Sequence, residues 1–328
     1  MDEMVQRDGL IINCLPLTEL ERRRFHAASG DVKQFFLGDI TQRGSMQWTA
    51  TIPADLREQA TAVIGNIPAD TVRQYPKLEW LQTWSAGVDR YTRPGIMLPD
   101  TVLTSASGAY GQSVAEHLFA MMWSLMKNLP GYRDSQHRHE WQDLGPAMSP
   151  EGATVVVIGT GDIGSHFAKL AKGVGAHTLG VRRSPNTPAD GIDTMFGFDA
   201  LDVLMTKADV VVCVLPSSPE THYLLNSHRM DLLKEGAIVL NGGRGDAIDP
   251  AALERHIHKL RGVGLDVTET EPLPADNPLW DEPRCLITPH AAGGYHLETT
   301  VGRILDIVLD NVSRYTSGQP LRNEVRHN

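Results

Sequence analysis

Residues 153–164 of the chain are Ala153-Thr154-Val155-Val156-Val157-Ile158-Gly159-Thr160-Gly161-Asp162-Ile163-Gly164. The first six form a near-continuous apolar run, typical of a strand buried on both faces of a parallel sheet. Three glycines follow with GxGxxG spacing, and residues 166–174 have helical spacing. In this context the glycines allow a tight turn, close approach of a pyrophosphate and close helix–strand packing. All six residues of the turn, 159–164, are therefore predicted to contact a dinucleotide at the helix amino terminus.

The same alternation of strand-like and helix-like segments continues towards the carboxyl terminus. It predicts a dinucleotide-binding domain over residues 105–291, built as a doubly wound parallel α/β sheet of about six strands. Helices are expected at 201–207 and 250–259. The predicted strands are 153–158, 176–181, 208–215, 237–241, 262–267 and 285–288.

The first hundred residues show a weaker form of this pattern, without a glycine fingerprint. Strands are expected near 11–12, 62–65, 80–83 and 102–104, and helices at 18–28 and 54–60. A last helix, near 297–315, follows the completed central sheet and is expected to return to the first domain. The sequence thus predicts a smaller, discontinuous substrate-binding domain over 1–104 and 292–328, also Rossmann-like or flavodoxin-like. The two crossings, near 105 and 290, would form a hinge beside a cleft.

The end of the second central strand bears on the choice of cofactor. A site selective for NAD places Asp or Glu about 20 residues after the glycines, where it binds the ribose 2′-OH. This chain has Arg182, 18 residues after Gly164, followed by Arg183 and Ser184. Guanidinium groups and a hydroxyl suit a 2′-phosphate, so the pattern favours NADP over NAD. The alternative is an ordinary solvated basic turn.

Charged side chains follow three later strands of the same sheet. Arg244 comes just after one strand, Asp266 and Glu271 around the end of the next, and His290 after the last. Open α/β sheets bind ligands at these carboxyl ends. Singly, such residues are often salt bridges, loop charges or core histidines. Together, beside a dinucleotide turn, they indicate a catalytic set.

Composition excludes several other classes of protein. The net charge of −10 argues against a nucleic-acid partner. No apolar run reaches the ~20 residues of a membrane span, and residues 1–7 lack the layout of a secretory signal. Cys14, Cys213 and Cys285 are odd in number and widely spaced, which favours a reduced, cytoplasmic protein. No His or Cys spacing suggests a metal site.

Several segments in order resemble the D-isomer-specific 2-hydroxyacid dehydrogenase family. One is Ser85-Ala86-Gly87-Val88-Asp89, which matches a substrate-domain loop of that family. The central domain adds the glycine turn, Leu215-Pro216-Ser217-Ser218-Pro219-Glu220-Thr221, Asn241-Gly242-Gly243-Arg244-Gly245, Leu265-Asp266-Val267, Glu271-Pro272-Leu273-Pro274, Asn277-Pro278-Leu279-Trp280 and Thr288-Pro289-His290. The chain is similar to this family from its first domain to the end of its central one.

The resemblance implies specific roles in the exchange of a hydride between a nicotinamide and a small 2-oxo acid. Arg244 would bind the substrate carboxylate and polarise the carbonyl. His290 would transfer the proton, oriented by Glu271, which raises its pKa. The N–H groups of Ala86 and Gly87 would bind the carboxylate. The implied cofactor contacts are Leu215, Pro216, Thr221, Gly242, Gly243 and Asp266, the last near the nicotinamide carboxamide.

The function expected from this resemblance is NADPH-dependent reduction of a 2-oxo acid to the D-2-hydroxy acid, of the glyoxylate or hydroxypyruvate reductase type. Trp141 and Tyr295 are candidates for shaping the substrate pocket, although ordinary packing is the commoner role. A homodimer is expected because the helix near 114–126 packs between subunits in the family. Two alternatives stay open: a dinucleotide-sensing binding protein of the same fold, and another family dehydrogenase such as a phosphite dehydrogenase.

Overall fold

A computed structural model of the chain describes residues 9–45, 47–293 and 297–327. The chain divides into two compact units. The split unit comprises residues 1–110 and 294–328, and the central unit comprises residues 111–293. The sequence placed these boundaries after residues 104 and 291. Tyr295 lies outside the described residues.

The elements of the described residues are numbered in chain order. The strands are β1 (Leu10–Asn13), β2 (Lys33–Phe36), β3 (Ala62–Ile64), β4 (Trp80–Gln82), β5 (Val102–Thr104), β6 (Thr154–Ile158), β7 (His177–Val181), β8 (Thr194–Phe196), β9 (Val210–Cys213), β10 (Ile238–Asn241), β11 (Gly262–Leu265), β12 (Cys285–Ile287) and β13 (Glu324–Val325). The α-helices are α1 (Glu19–Ser29), α2 (Ala54–Arg57), α3 (Gly111–Met126), α4 (Leu129–His137), α5 (Asp162–Gly173), α6 (Leu201–Met205), α7 (Ser227–Leu232), α8 (Pro250–His256) and α9 (Glu298–Thr316).

The split unit is built on a six-stranded sheet in the order β13-β5-β4-β3-β1-β2. Strands β1 to β5 are parallel to one another, and β13 pairs antiparallel with β5. The predicted strands and helices of this region are present, although α2 is only one turn long. Sequence analysis missed β2 and β13. Both lie at edges of the sheet, where a half-exposed strand such as β2 carries no continuous apolar run.

Helix α9 belongs to the split unit and packs against α1. A buried polar network ties it to the sheet. The Asn311 amide donates to Gln82 Oε1 at 2.8 Å and to the Arg322 carbonyl at 3.0 Å, and its oxygen accepts from the Arg322 N–H at 2.7 Å. Gln82 Oε1 also accepts from the Thr104 hydroxyl, which in turn accepts from Trp80 Nε1. Because buried polar groups need partners, this network fixes α9 and the terminal segment on the sheet.

The central unit contains a seven-stranded parallel sheet in the order β12-β11-β10-β9-β6-β7-β8. The predicted α/β fold class is confirmed, but the expected count of about six strands was one too low. The missed strand is β8, a short, partly exposed edge strand. From β6 the chain builds outward in both directions, which makes the β6–β9 boundary the switch point where ligands bind.

The core of the central unit explains why β6 is so apolar. Its residues from Val155 to Ile158 are fully buried. Val156 and Ile158 join a cluster with residues of α6, α7 and α8, whereas Val157 lies beside α5 near Gly164. Both faces of the strand are therefore covered by helices. In the described part of the chain, no helix has the length and hydropathy required to cross a membrane.

Candidate active site

The glycine-rich turn has the geometry that its spacing predicts. Gly159 has a φ of +99°, and a Cβ there would lie 2.8 Å from the Val214 carbonyl oxygen. A Cβ at Gly164 would lie 2.0 Å from the Gly159 carbonyl oxygen. Side chains at these two positions would therefore break the turn, one through its backbone conformation and the other by overlap.

The open side of this turn suits a pyrophosphate. A Cβ at Gly161 would meet nothing within 4 Å, and Gly161 supplies no side-chain cap to α5. The Thr160 hydroxyl is buried and has no hydrogen-bond partner within the described residues. An uncapped helix start beside an unsatisfied buried hydroxyl provides donors for an anion. The residues present therefore fit the dinucleotide that the motif implies, and Ile163 lies half-buried in the first turn of α5.

Asp162 differs from its neighbours in the turn because its carboxylate is already engaged by the protein. It accepts a hydrogen bond of 2.7 Å from the N–H of Gly111, the first residue of α3. The His166 ring lies 3.3 Å from its other oxygen. The side chain of Asp162 therefore connects the starts of α5 and α3, and only its backbone stays a candidate cofactor contact.

The basic segment after β7 has an acidic neighbour that the sequence did not reveal. Arg182 is half-buried, and Arg183 and Ser184 are exposed. The Arg183 guanidinium lies 3.1 Å from the carboxylate of Glu220, to which the Ser218 hydroxyl also donates. Glu220 belongs to the loop after β9, so this ion pair lies across the end of β6. Both partners are largely exposed, which makes the pair weak and easily exchanged for another anion.

The other predicted cofactor contacts line the ends of β9 and β10. The Thr221 hydroxyl donates to the Pro216 carbonyl and accepts from the Ser218 N–H, so it closes its own loop. A Cβ at Gly243 would lie 2.6 Å from backbone atoms of Leu215. A Cβ at Gly242 would lie 2.8 Å from the side chain of Leu118 in α3. These residues shape the sheet edge, and their contacts to a cofactor stay predictions.

The predicted catalytic residues come together at the ends of β10, β11 and β12. His290 Nδ1 lies 2.9 Å from Glu271 Oε2, and both side chains are about half exposed. Glu271 Oε1 accepts from the Thr268 N–H at 3.2 Å. Arg244 is partly buried and donates to the Gly243 carbonyl at 2.9 Å. The Asn241 amide donates to the Arg244 carbonyl, which fixes the backbone that presents the guanidinium.

The electrostatics of this trio favour a charged imidazole. The hydrogen bond to Glu271 raises the pKa of His290 above its ordinary value, against partial burial and the charge of Arg244. Burial is the largest single effect on Glu271 and acts to raise its pKa, but the hydrogen bonds with His290 and the Thr268 N–H and the nearby positive charges together outweigh it, so that pKa lies below its ordinary value. The charge of Arg244 also lowers the pKa of Glu271. The three side chains thus form one electrostatic unit.

Asp266 has a structural role beyond the one that the resemblance implies. It is 3% exposed, and its Oδ1 accepts from the Thr288 hydroxyl at 2.6 Å. The N–H groups of Ala291 and Ala292 donate to the same carboxylate at 2.9 and 3.0 Å. Its Oδ2 has one such contact, 3.1 Å from the Ala292 nitrogen. Asp266 therefore holds the turn that carries His290 and retains acceptor capacity on Oδ2.

The Ala86–Gly87 loop belongs to the split unit. The Asn66 side chain holds it, accepting from the Trp84 N–H and donating to Ser85 Oγ, which donates to the Gly87 carbonyl. No hydrogen bond from the N–H of Ala86 or Gly87 is found among the described residues. These two N–H groups therefore keep their donors for another acceptor, and their contact with a substrate carboxylate stays a prediction.

Sequence reasoning missed Asn66, His117, Thr288 and Glu220. Each acts through a partner distant in sequence, as in the hydrogen bond of 3.0 Å between His117 Nε2 and Thr288 Oγ1. Glu220 belongs to the family-like segment 215–221, but nothing in that segment indicated Arg183 as its partner. Trp141, a candidate for the substrate pocket, is fully exposed in the single chain.

The parallel sheet and its glycine turn define a Rossmann-type dinucleotide-binding unit. Residues 119–292, more than half of the chain, match the model of the "D-isomer specific 2-hydroxyacid dehydrogenase, NAD binding domain" family. The chain belongs to the D-isomer-specific 2-hydroxyacid dehydrogenase family, whose members act on the CH–OH group of their substrates. The family predicted from the motifs is thus confirmed.

Individual relatives agree with this assignment. A glycerate dehydrogenase of Methylorubrum extorquens is 26% identical over 287 residues, which cover 83% of this chain and 88% of the relative. A glyoxylate/hydroxypyruvate reductase B of Enterobacter sp. is 27% identical over 278 residues, 80% of this chain and 85% of the relative. The crystal structure of a family protein from Aeromonas salmonicida is 32% identical with a TM-score of 0.82, covering 98% of this chain and all of that one.

Proposed function

We propose that this dehydrogenase reduces a small 2-oxo acid, of the glyoxylate or hydroxypyruvate kind, to the D-2-hydroxy acid with NADPH as the preferred reductant. The observation that carries the proposal is the His290–Glu271 pair, with an N–O distance of 2.9 Å, within the electrostatic reach of Arg244. The similarity to the Enterobacter reductase supports the substrate class.

His290 is proposed as the proton donor. A bound reduced nicotinamide supplies the hydride that the carbonyl carbon receives. His290 gives a proton to the carbonyl oxygen, so the C=O double bond becomes CH–OH and no charge is left on the oxygen. The contact of Nδ1 with Glu271 leaves Nε2 for this transfer. Glu271 stabilises the imidazolium and so raises the pKa of the donor above its ordinary value.

Arg244 is proposed to bind the substrate. Its permanently charged, planar guanidinium matches a carboxylate and favours the negative charge that develops on the carbonyl oxygen during reduction. The backbone around Arg244 is fixed by Asn241 and Gly243, so the guanidinium starts from a defined position. The N–H groups of Ala86 and Gly87 are proposed as further donors to the substrate carboxylate.

The preference for NADPH rests on the residues after β7. Arg182, Arg183 and Ser184 offer two guanidinium groups and a hydroxyl where an NAD site would offer a carboxylate. A 2′-phosphate, with about two negative charges, would attract Arg183 more strongly than the single charge of Glu220 does. The weak Arg183–Glu220 pair therefore does not prevent NADPH from binding. Glu220 competes for Arg183 and so lowers the affinity of the site for NADPH.

The proposal is tested by following the absorbance of NADPH and of NADH across a panel of 2-oxo acids, with phosphite and NADP⁺ as a separate arm. We expect turnover of one or two small acids, faster with NADPH. No turnover of any compound, combined with tight dinucleotide binding, would favour the sensing protein instead. Turnover of phosphite alone would favour the other alternative.

Arg182→Asp tests the cofactor preference separately. It should weaken NADPH binding on the order of 10-fold or more and leave NADH binding nearly unchanged, because only NADPH carries the 2′-phosphate. Arg255→Asp, an equal change of charge on α8, is the matched control. Equal weakening of both cofactors by Arg182→Asp would contradict the preference.

A homodimer and a cytoplasmic location also stay proposals. Leu129 and Tyr132 of α4 and Trp141 just beyond it are exposed apolar side chains, as expected of a subunit interface. Light scattering during size-exclusion chromatography tests this, and a monomer at micromolar concentration would contradict it. The cysteines are all unpaired, which supports a reducing compartment.

A further inference from the structure

The turn after β12 holds His290 in an unfavourable backbone conformation. His290 has a φ of +52°, which lies in the left-handed region that residues with a side chain rarely adopt. Such a conformation persists only where surrounding contacts fix it. Here the His290 N–H donates to the Asp266 carbonyl at 2.7 Å, and the carboxylate of Asp266 binds the next two N–H groups.

Helix α3 contacts this turn at two points. Ser113 and His117 lie four residues apart, on one face of the helix. Ser113 Oγ donates to the Ala292 carbonyl at 2.8 Å, and His117 Nε2 lies 3.0 Å from Thr288 Oγ1. Thr288 and Ala292 flank His290 on either side. The helix therefore holds the turn on both sides of the proposed proton donor.

The direction of each hydrogen bond follows from proton counting. Asp266 Oδ1 already accepts from the N–H groups of Ala291 and Ala292, so the 2.6 Å contact requires the Thr288 hydroxyl to donate. A hydroxyl has one proton, so Thr288 must accept from His117. His117 Nε2 therefore carries a proton, and a directed series runs from His117 to Thr288 to Asp266.

We propose that His117, acting through Thr288 and Asp266, is a positioning residue that keeps His290 in place for proton transfer. His117 does not contact substrate or cofactor in this role. Its side chain is 31% exposed and does not belong to the buried core. That His290 transfers a proton rests on the proposed function, but the placement of His290 can be measured without substrate.

The charged groups around His290 determine what loosening the turn should do. Among the residues that the structure describes, these are Glu271, Asp266 and Arg244, and the Glu271 hydrogen bond is the largest cause of the raised pKa of His290. Asp266 contributes a smaller increase. If the turn loosens, His290 loses alignment with Glu271, and its pKa falls towards the ordinary value. Loss of the Thr288 donor would leave the Asp266 charge less neutralised, which acts to raise the pKa of His290. This effect is smaller, because Asp266 contributes less to that pKa than Glu271 does.

The test compares Thr288→Val, which keeps the shape but removes the hydroxyl, with Thr288→Ser, which retains it. His117→Leu breaks the series one step further away, and His117→Gln keeps a donor. We expect Thr288→Val to lower kcat about 10-fold or more, since small displacements of reacting groups are costly. The dissociation constant of NADPH should change by less than about 3-fold. The alkaline limb of the pH–rate profile for reduction should move to lower pH.

The conservative variants separate positioning from stability. Thr288→Ser should retain most of the wild-type kcat and keep the alkaline limb near its wild-type pH. His117→Leu should shift the alkaline limb in the same direction as Thr288→Val does. A parallel titration of His290 by NMR, with ¹³C-labelled histidine, measures its pKa in the substrate-free protein. The signal is assigned by its loss in His290→Gln.

Three results would overturn the inference. An unchanged limb and an unchanged NMR titration in Thr288→Val would show that the series does not position His290. A lower melting temperature with both pKa measures unchanged would show a structural role alone. Equal losses in Thr288→Ser and Thr288→Val would exclude the hydroxyl. If the wild-type chain reduces no 2-oxo acid, the proposed function fails, while the NMR titration still decides the positioning.

Discussion

Glu271→Gln should change the two directions of the reaction in opposite senses. The Glu271 carboxylate accepts from His290 Nδ1 with one oxygen and from the Thr268 N–H with the other. An amide has a single oxygen, so glutamine can satisfy only one of these donors, and it removes the negative charge. Because the Glu271 hydrogen bond is the main cause of the raised pKa of His290, that pKa should fall in the variant.

The size of the effect follows from the contact. A hydrogen bond to a charged group contributes about 1.5–3 kcal/mol, and a neutral one about 0.5–1.5 kcal/mol. The side chains of His290 and Glu271 are 50% and 40% exposed, so solvent reduces the difference to about 1 kcal/mol. That energy corresponds to about a 5-fold lower population of protonated His290 at alkaline pH. Reduction should slow by this factor there and stay near normal at acidic pH.

Glu271→Gln changes the rates of reduction and of oxidation in opposite senses, because the two directions need different protonation states of His290. Reduction needs His290 with its proton, so its rate falls as pH rises through the pKa, and in the variant this fall begins at lower pH. Oxidation needs the neutral imidazole, so the variant should oxidise the hydroxy acid faster than the wild type at mildly acidic pH, where neutral His290 is scarce.

The assay is kcat/KM in both directions, from acidic to alkaline pH, followed by nicotinamide absorbance. Glu269→Gln is the matched control, because it removes the same charge two residues away, from a carboxylate that accepts from the Tyr223 hydroxyl. Profiles of Glu271→Gln that superimpose on the wild type would refute the reasoning. An equal shift in Glu269→Gln would show that the effect is long-range charge rather than the contact.

Arg244→Ala and His290→Ala should each lose turnover on the order of 100-fold or more while fluorescence titration shows intact cofactor binding; near-normal rates would mean that the roles are wrong. Asn311→Ala should lower the free energy of unfolding by about 2–4 kcal/mol, because it deprives the buried Gln82 side chain of a donor and the partly buried Arg322 N–H and carbonyl of their shared partner. Urea denaturation measures this loss, and a change below about 0.5 kcal/mol would contradict it.

Local pattern predicted the fold where burial is uniform along a segment. Strand β6 was recognisable because both of its faces are covered by helices, so every residue after Thr154 is apolar and buried. Strands β2, β8 and β13 lie at or beside sheet edges and are short or half-exposed, so they left no such run. Their existence depends on a neighbouring strand, which the local sequence does not specify.

The candidate site divides along the same line. Arg244, Glu271 and His290 were found because each directly follows a strand, and parallel strands bring their carboxyl ends to one edge. The partnership of His117 and Thr288 spans 171 positions in the chain and exists only because α3 packs beside β11. The Arg183–Glu220 pair likewise joins loops after different strands. Packing between distant segments creates both of these contacts, and the periodicity of the sequence does not predict such packing.

The split unit has a consequence for the order in which the protein is made. Its sheet is completed by β13, and its α1 face is covered by α9, yet close to 200 residues separate β5 from α9. At about 5–20 residues per second, a ribosome needs roughly 10–40 s to bridge that interval. During this time β1–β5 have emerged without the helix that buries their polar network, and the central unit is complete only at the end of the interval, before α9 is made. The nascent amino-terminal segment is therefore the natural client for chaperones, and the central unit the first to mature.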